Sequence, residues 1–129
     1  MRLLLDTHIL LALASRTIHE LGSAPAAAVR SSENQSFVSA ASLWEIAIKT
    51  RIGKLRPALA PDRMPAYFQS LGLALLVVDH VHAVTAADPE PPTRDPFDRL
   101  LLSQCLVENL RLVTLDRALA AHPLAWRAS

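Results

Sequence analysis

The sequence predicts an α/β fold built on a parallel sheet, and three observations carry that prediction. Short apolar runs recur at Leu3-Leu4-Leu5, Ser36-Phe37-Val38, Leu73 to Val78 and Leu112 to Leu115. Segments of helical character separate them, and alternation of this kind specifies parallel strands joined by crossover helices. The runs at Leu3 and Leu73 are continuously apolar, as strands covered on both faces are.

The elements follow in order. Leu3 to Leu5 reads as a short buried strand, and Thr7 to Ala14 as a helix with Ile9, Leu10 and Leu13 inward. A second helix is expected over Ala24 to Arg30 and a second strand at Ser36-Phe37-Val38. Ala41 to Arg51 reads as a helix. Its apolar residues Leu43, Trp44, Ile46, Ala47 and Ile48 are dense enough to imply burial on more than one side. Gly53 ends it, with Lys49 and Arg51 well placed in the last turn. Pro61 to Leu71 forms a further helix, broken by Gly72, and Leu73 to Val78 is the third strand. Asp79 to Ala87 is a short helix. Asp88 to Pro92 carries three prolines and must be a loop. Asp95-Pro96 opens a helix to about Asn109, Leu112 to Leu115 is the fourth strand, Arg117 to Ala121 a helical turn, and Leu124 to Arg127 a candidate fifth, edge strand.

With 129 residues the chain is expected to form one domain, residues 1–129, burying roughly two-thirds of its unfolded surface. No apolar run approaches the roughly 20 residues that span a bilayer. Met1-Arg2 before Leu3, with Asp6 interrupting the apolar stretch, reads as a strand and not a signal peptide. The single cysteine, Cys105, excludes an internal disulfide framework and suits a reducing, cytoplasmic setting; it reads as a buried structural thiol. A hydrophobic fraction of 51% is high for a soluble domain and points to a partner-covered surface or oligomer interface. The net charge of +1 provides no strong global field, so a nucleic-acid ligand must be held by local patches. Eleven of the 13 basic side chains are Arg, the better fork-shaped phosphate ligand.

Four acids stand out: Asp6 after the first strand, Glu45 in Ser42-Leu43-Trp44-Glu45, Asp98 in Asp95-Pro96-Phe97-Asp98, and Asp116 after Leu112-Val113-Thr114-Leu115. A carboxylate just past a parallel strand points into the crevice where open α/β sheets bind ligands. Each acid also has a structural reading. Ser42-x-x-Glu45 matches a capping box, Asp95 suits an N-cap with Asp98 a first-turn anion, and Asp6 and Asp116 suit caps of the helices after their strands. Together the four fit a metal centre better. Glu45 lies among apolar neighbours, where a carboxylate is costly unless paired or metal-bound. Converging carboxylates repel one another unless a cation neutralises them, and hard oxygen ligands select Mg²⁺ or Mn²⁺. No Cys/His cluster has zinc spacing, and His80-Val81-His82 reads as a helix start.

These residues resemble the PIN-domain ribonucleases, specifically the VapC-type toxins of bacterial toxin–antitoxin pairs. The matching segments are Leu4-Leu5-Asp6-Thr7-His8, Val38 to Lys49, Gly53-Lys54-Leu55, Arg94 to Leu101 and Leu112 to Asp116, in family order over nearly the whole chain. The resemblance implies a PIN-like three-layer α/β/α sandwich with a five-stranded parallel sheet of order 3-2-1-4-5. It implies an acidic quartet of Asp6, Glu45, Asp98 and Asp116, with Thr114 as a supporting hydroxyl. Two departures are visible: Thr93 stands where many relatives have His, and Arg117 to Ser129 matches only loosely.

The implied activity is Mg²⁺- or Mn²⁺-dependent hydrolysis of RNA phosphodiester bonds, leaving a 3′-hydroxyl and a 5′-phosphate. Asp6, Asp98 and Asp116 would hold the ion, and Glu45 would position a water or a second, weaker ion. Arg99 is a candidate contact to the phosphate, and Lys49, Arg51 and Lys54 a candidate backbone-binding patch. The resemblance further implies a homodimer and a cognate VapB-type antitoxin. A groove around Leu10 to Leu13, Leu43 to Ile52, Met64, Tyr67 and Phe68 would receive an amphipathic segment, unless those residues are core. Other classes fit less well. An aspartate-nucleophile phosphatase needs an acid two residues after Asp6, where His8 stands, and a receiver domain needs an acidic neighbour that Asp6 lacks. A catalytically silent binding module remains the serious alternative.

Overall fold

The computed structural model describes residues 1–128. Four strands, β1 (Arg2–Leu5), β2 (Gln35–Ser39), β3 (Ala74–Leu76) and β4 (Arg111–Val113), form one sheet in the order β3-β2-β1-β4. All three pairings are parallel, with Leu4 opposite Phe37 on one side and Leu112 on the other. β1 is central, which is why Leu3, Leu4 and Leu5 are all fully buried.

Helices complete each crossover. Between β1 and β2 lie α1 (Thr7–Ala14), a 3₁₀ turn at Ile18–Leu21 and α2 (Ser23–Arg30). Between β2 and β3 lie α3 (Ala40–Arg51), a 3₁₀ turn at Pro61–Arg63 and α4 (Met64–Ser70). α5 (His80–Val84) and α6 (Pro96–Glu108) lead to β4, and α7 (Arg117–Ala120) follows it. The period-two alternation of β1 divides the core. Leu3 and Leu5 pack with Ile9, Leu10, Ile46, Met64 and Phe68 on one face. Leu4 packs with Phe37, Leu101, Leu102, Cys105, Leu112 and Leu119 on the other. Helices thus cover both faces of the sheet, as expected.

The chain builds outward from β1 to β2 to β3 and then crosses to β4 on the far side of β1. Direction reverses between β1 and β4, and the crevice outside their carboxyl ends is the topological switch point.

Three expectations need correction. The fifth strand is reduced to a single parallel bridge between Ala125 and Leu112, with Leu112 N–H donating to Leu124 O (2.9 Å) and Trp126 N–H to Leu112 O (2.8 Å). β4 has three residues, and alternate residues of a strand present their polar groups to opposite sides. Val113 O accepts from Asp6 N–H, so Leu112 alone faces the outer edge. The third strand is shorter than Leu73 to Val78 and is not covered on both faces. As the edge strand it leaves Leu75 exposed, and Val77 beyond it is 69% exposed. Finally, α3 is buried on more than one side as expected, with Ile46 in one core cluster and Ala41 in the other, but Trp44 takes no part in that burial and is 61% exposed.

Candidate active site

The four acids singled out in the sequence line one cleft: Asp6 and Asp116 cap the helices that follow β1 and β4, and Glu45 and Asp98 lie within α3 and α6. Asp6 is the N-cap of α1, and its Oδ1 accepts the Thr7 N–H at 2.7 Å. Asp116 caps α7 through the Ala118 N–H (2.8 Å). Asp95 caps α6 by accepting from Phe97 and Asp98 N–H groups (2.8 and 3.3 Å), which fixes Asp98 in the first turn. The capping readings of Asp6, Asp95 and Asp116 therefore hold, and they coexist with convergence on the site. Capping orients each carboxylate toward the crevice.

The capping box at Ser42 does not form. α3 begins directly after β2, its N-cap is Ser39, and the Ser39 Oγ accepts from Ala41 N–H at 3.0 Å. Glu45 is therefore one full turn into the helix and turns into the crevice, where it is 8% exposed. Its Oε1 accepts from Thr7 Oγ1 at 2.6 Å and its Oε2 lies 2.6 Å from Lys49 Nζ. Two contacts hold α3 against α6. Trp44 meets Phe97 edge-on at 5.8 Å, and Ser39 Oγ donates to Gln104 Oε1 at 2.5 Å.

Asp6, Glu45, Asp98 and Asp116 line one cleft of about 240 Å³, together with Thr7, His8, Leu11, Lys49, Leu55 and Asp95. Larger clefts exist, and one of about 600 Å³ is lined by Leu13, Ile18, Tyr67 and Leu73 with two arginines and no carboxylate. Chemistry, not size, distinguishes the acidic cleft.

The carboxylates strain against one another. Burial, then the charges of Asp95, Asp6 and Asp116, push Asp98 up to about 7, against a weak opposing bond from Thr93 Oγ1 at 3.3 Å. Burial also raises Asp6, which is 4% exposed. Thr114 Oγ1, at 2.6 Å from Asp6 Oδ2, is the strongest influence in the other direction, followed by His8, whose Nδ1 is 3.5 Å away. Lys49 is raised chiefly by its bond to Glu45. A cleft in which Asp6 and Asp98 resist ionisation without a cation, and which gathers several carboxylate oxygens, fits a divalent ion such as Mg²⁺ or Mn²⁺.

Of the supporting residues, Thr114 is in place and Arg99 is not. Arg99 turns away from the cleft, donates from Nε to Thr93 O (2.9 Å) and pairs with Glu90 (2.9 Å), so it braces the proline-rich loop and is not aimed at a phosphate. Arg51 lines a different cleft with Leu43, Thr50 and Pro61, which leaves Lys49 as the one member of the expected basic patch inside the acidic cleft. Thr7 and His8 line the cleft without having stood out in the sequence, and Asp95 lines it as well as capping α6. The adjacency of Thr7 and His8 to Asp6, and the four-residue step from Glu45 to Lys49, were the signals available. Of the groove expected for a partner, Leu10, Leu13, Met64 and Phe68 are core.

A second titratable group is structural. Asp79, His82 and Glu108 approach within 4.8 Å. However, His82 Nδ1 accepts the Asp79 N–H (3.0 Å), which puts the ring proton on Nε2, 2.9 Å from Glu108 Oε2. Both ring nitrogens of this buried histidine are spent, Nδ1 on the start of α5 and Nε2 on the end of α6, and His80-Val81-His82 opens a helix as the sequence led one to expect.

Comparison with known proteins supplies a context for the acidic cleft. The PIN domain family model matches residues 3–123. Ribonuclease VapC16 of Mycobacterium tuberculosis is 44% identical over 61 residues, a stretch covering 43% of this chain and 40% of that relative. The similarity thus spans less than half the length of the curated protein. Among the described residues no helix is long and apolar enough to cross a membrane.

Proposed function

Because this chain belongs to the PIN-domain family, we propose that it is a metal-dependent endoribonuclease, the toxin component of a type II toxin–antitoxin pair. The observation that carries the reading is the meeting of Asp6, Glu45, Asp98 and Asp116, from four separate places in the chain, in one cleft at the switch point of the sheet. The similarity to a protein named as a ribonuclease supports RNA as the substrate.

Asp6, Asp98 and Asp116 would hold Mg²⁺ or Mn²⁺. When bound, such an ion lowers the pKa of water and stabilises charge building on a phosphate. The protein's own contribution is positional. Thr114 and the Thr7 N–H aim the two oxygens of Asp6, and Asp95 sets the first turn of α6 so that Asp98 faces the cleft. Glu45 is fixed in the same cleft by Thr7 and Lys49. The products would carry a 3′-hydroxyl and a 5′-phosphate.

The reading includes a cytoplasmic setting, a homodimer and a cognate VapB-type antitoxin. Exposed Trp44, Ile52, Val77 and Val84 supply apolar surface for such partners. The cleft between Leu43, Ala47, Thr50 and Pro61 lies beside part of the groove expected from the sequence.

Incubation of total cellular RNA with the purified protein tests the function. Discrete fragments that appear with Mg²⁺ or Mn²⁺, and vanish with EDTA or in Asp6→Asn, are expected. Intact RNA from folded, antitoxin-free protein, with no divalent ion bound, would favour the silent binding module.

A further inference from the structure

Glu45 is the acid of the quartet that already has a cation. Lys49, one helical turn along α3, places Nζ 2.6 Å from Glu45 Oε2, while Thr7 Oγ1 occupies Oε1 at 2.6 Å. Both carboxylate oxygens are engaged in a pocket where the Glu45 side chain is 10% exposed. The ammonium lines the cleft and lies close enough to Asp95 and Asp98 to feel their charges as well. Among the described residues no lysine or arginine reaches ion-pair distance of Asp6, Asp98 or Asp116: Asp6 is flanked by hydroxyl, amide and imidazole groups, and Asp98 by a threonine hydroxyl.

From this asymmetry we propose that the Lys49 ammonium stands in for a second divalent ion, so that the centre takes a single ion on its Asp6, Asp98 and Asp116 side. The inference rests on the nuclease reading above and deepens it. In two-metal phosphodiester sites the ions sit roughly 3.5–4 Å apart and clamp the attacking and leaving oxygens from two sides. A second ion beside Glu45 would compete for the space and the oxygen that Nζ holds. A lysine ammonium is a compact point charge with three donors, suited both to balance Glu45 and to meet a phosphate oxygen. Glu45 is then an anchor for Lys49 rather than a metal ligand, and Lys49 a positioning residue for the phosphate.

Metal stoichiometry tests this without recourse to catalysis. Mn²⁺ is titrated into the full chain by calorimetry, and the bound ions are examined by electron paramagnetic resonance, for the wild type, Lys49→Met and Lys49→Arg. Circular dichroism confirms that each is folded. The wild type should bind one Mn²⁺ with an uncoupled spectrum, and Lys49→Arg should do the same. Lys49→Met should bind two, with the spectrum of a spin-coupled pair. Two ions in the wild type, or one in Lys49→Met, would overturn the inference while leaving a metal nuclease intact. A wild type that binds no Mn²⁺ would overturn both.

Discussion

The Thr114 hydroxyl donates to Asp6 Oδ2 at 2.6 Å and accepts the Asp116 N–H at 3.1 Å, so one side chain ties the end of β4 to the end of β1. The bond orients Asp6 and eases its burial at once. Thr114→Val keeps the shape and removes both roles. At about pH 8 without metal, the variant should lose about 1–3 kcal/mol in urea unfolding, the cost of depriving a buried charged acceptor of its donor. The loss should shrink as pH falls and Asp6 takes a proton, a step that burial moves above the ordinary carboxylate range.

Stability should depend on pH in a direction set by Asp98 and Asp6. Both carboxyls titrate higher in the folded chain than the ordinary 3.8, Asp98 at about 7. A folded state that holds its proton more tightly is favoured at low pH, and this contribution is lost as pH rises through the folded value. In EDTA, the urea midpoint should therefore fall between about pH 5 and about pH 8. Saturating Mg²⁺ should add most stability at the upper end, where the acids are ionised and metal binding releases fewest protons.

The buried His82 ties Asp79 to Glu108 and fills the space between α5 and α6. His82→Ala should cost about 2–4 kcal/mol by opening a cavity and unpairing the start of α5. Mn²⁺ stoichiometry should not change, since this cluster is a brace. A lost equivalent of Mn²⁺ in calorimetry would contradict that assignment.

Arg99 gives a complementary expectation. Its half-exposed pair with Glu90 should be worth about 0–1 kcal/mol, so Arg99→Ala should barely move the unfolding midpoint. Because the guanidinium faces away from the cleft, the slope of log activity against log salt should match that of the wild type. A slope reduced by about one would place Arg99 on a phosphate after all.

The site was legible in the sequence to the extent that chemistry lies next to a strand end. Asp6 follows its strand directly and Asp116 ends the apolar run that holds β4, so their place at the switch point follows once the alternation is read. The failures have a common cause, in that each depended on where an element starts or what covers it. Ser42 matched a capping box because its spacing to Glu45 is right, yet β2 runs straight into α3 and hands the cap to Ser39. Trp44 resembles core by type and is exposed by its helical phase. Leu124 to Arg127 has the composition of an edge strand, but the three residues of β4 offer it only Leu112. Arg99 and Lys49 were equivalent as basic neighbours of an acid. Tertiary contacts separate them, Glu90 drawing one out and Glu45 drawing the other in.

Asp98→Asn tests whether acids from separate elements form one metal-dependent nuclease centre. This substitution removes the carboxylate most strained by its neighbours. RNA cleavage with Mn²⁺ and urea unfolding in EDTA should be measured on the same preparation. Cleavage should fall on the order of a hundredfold or more, the scale of losing one group that stabilises developing charge. The metal-free fold should become more stable at about pH 8, because the repulsion is relieved. Wild-type cleavage by a correctly folded Asp98→Asn protein would contradict the account.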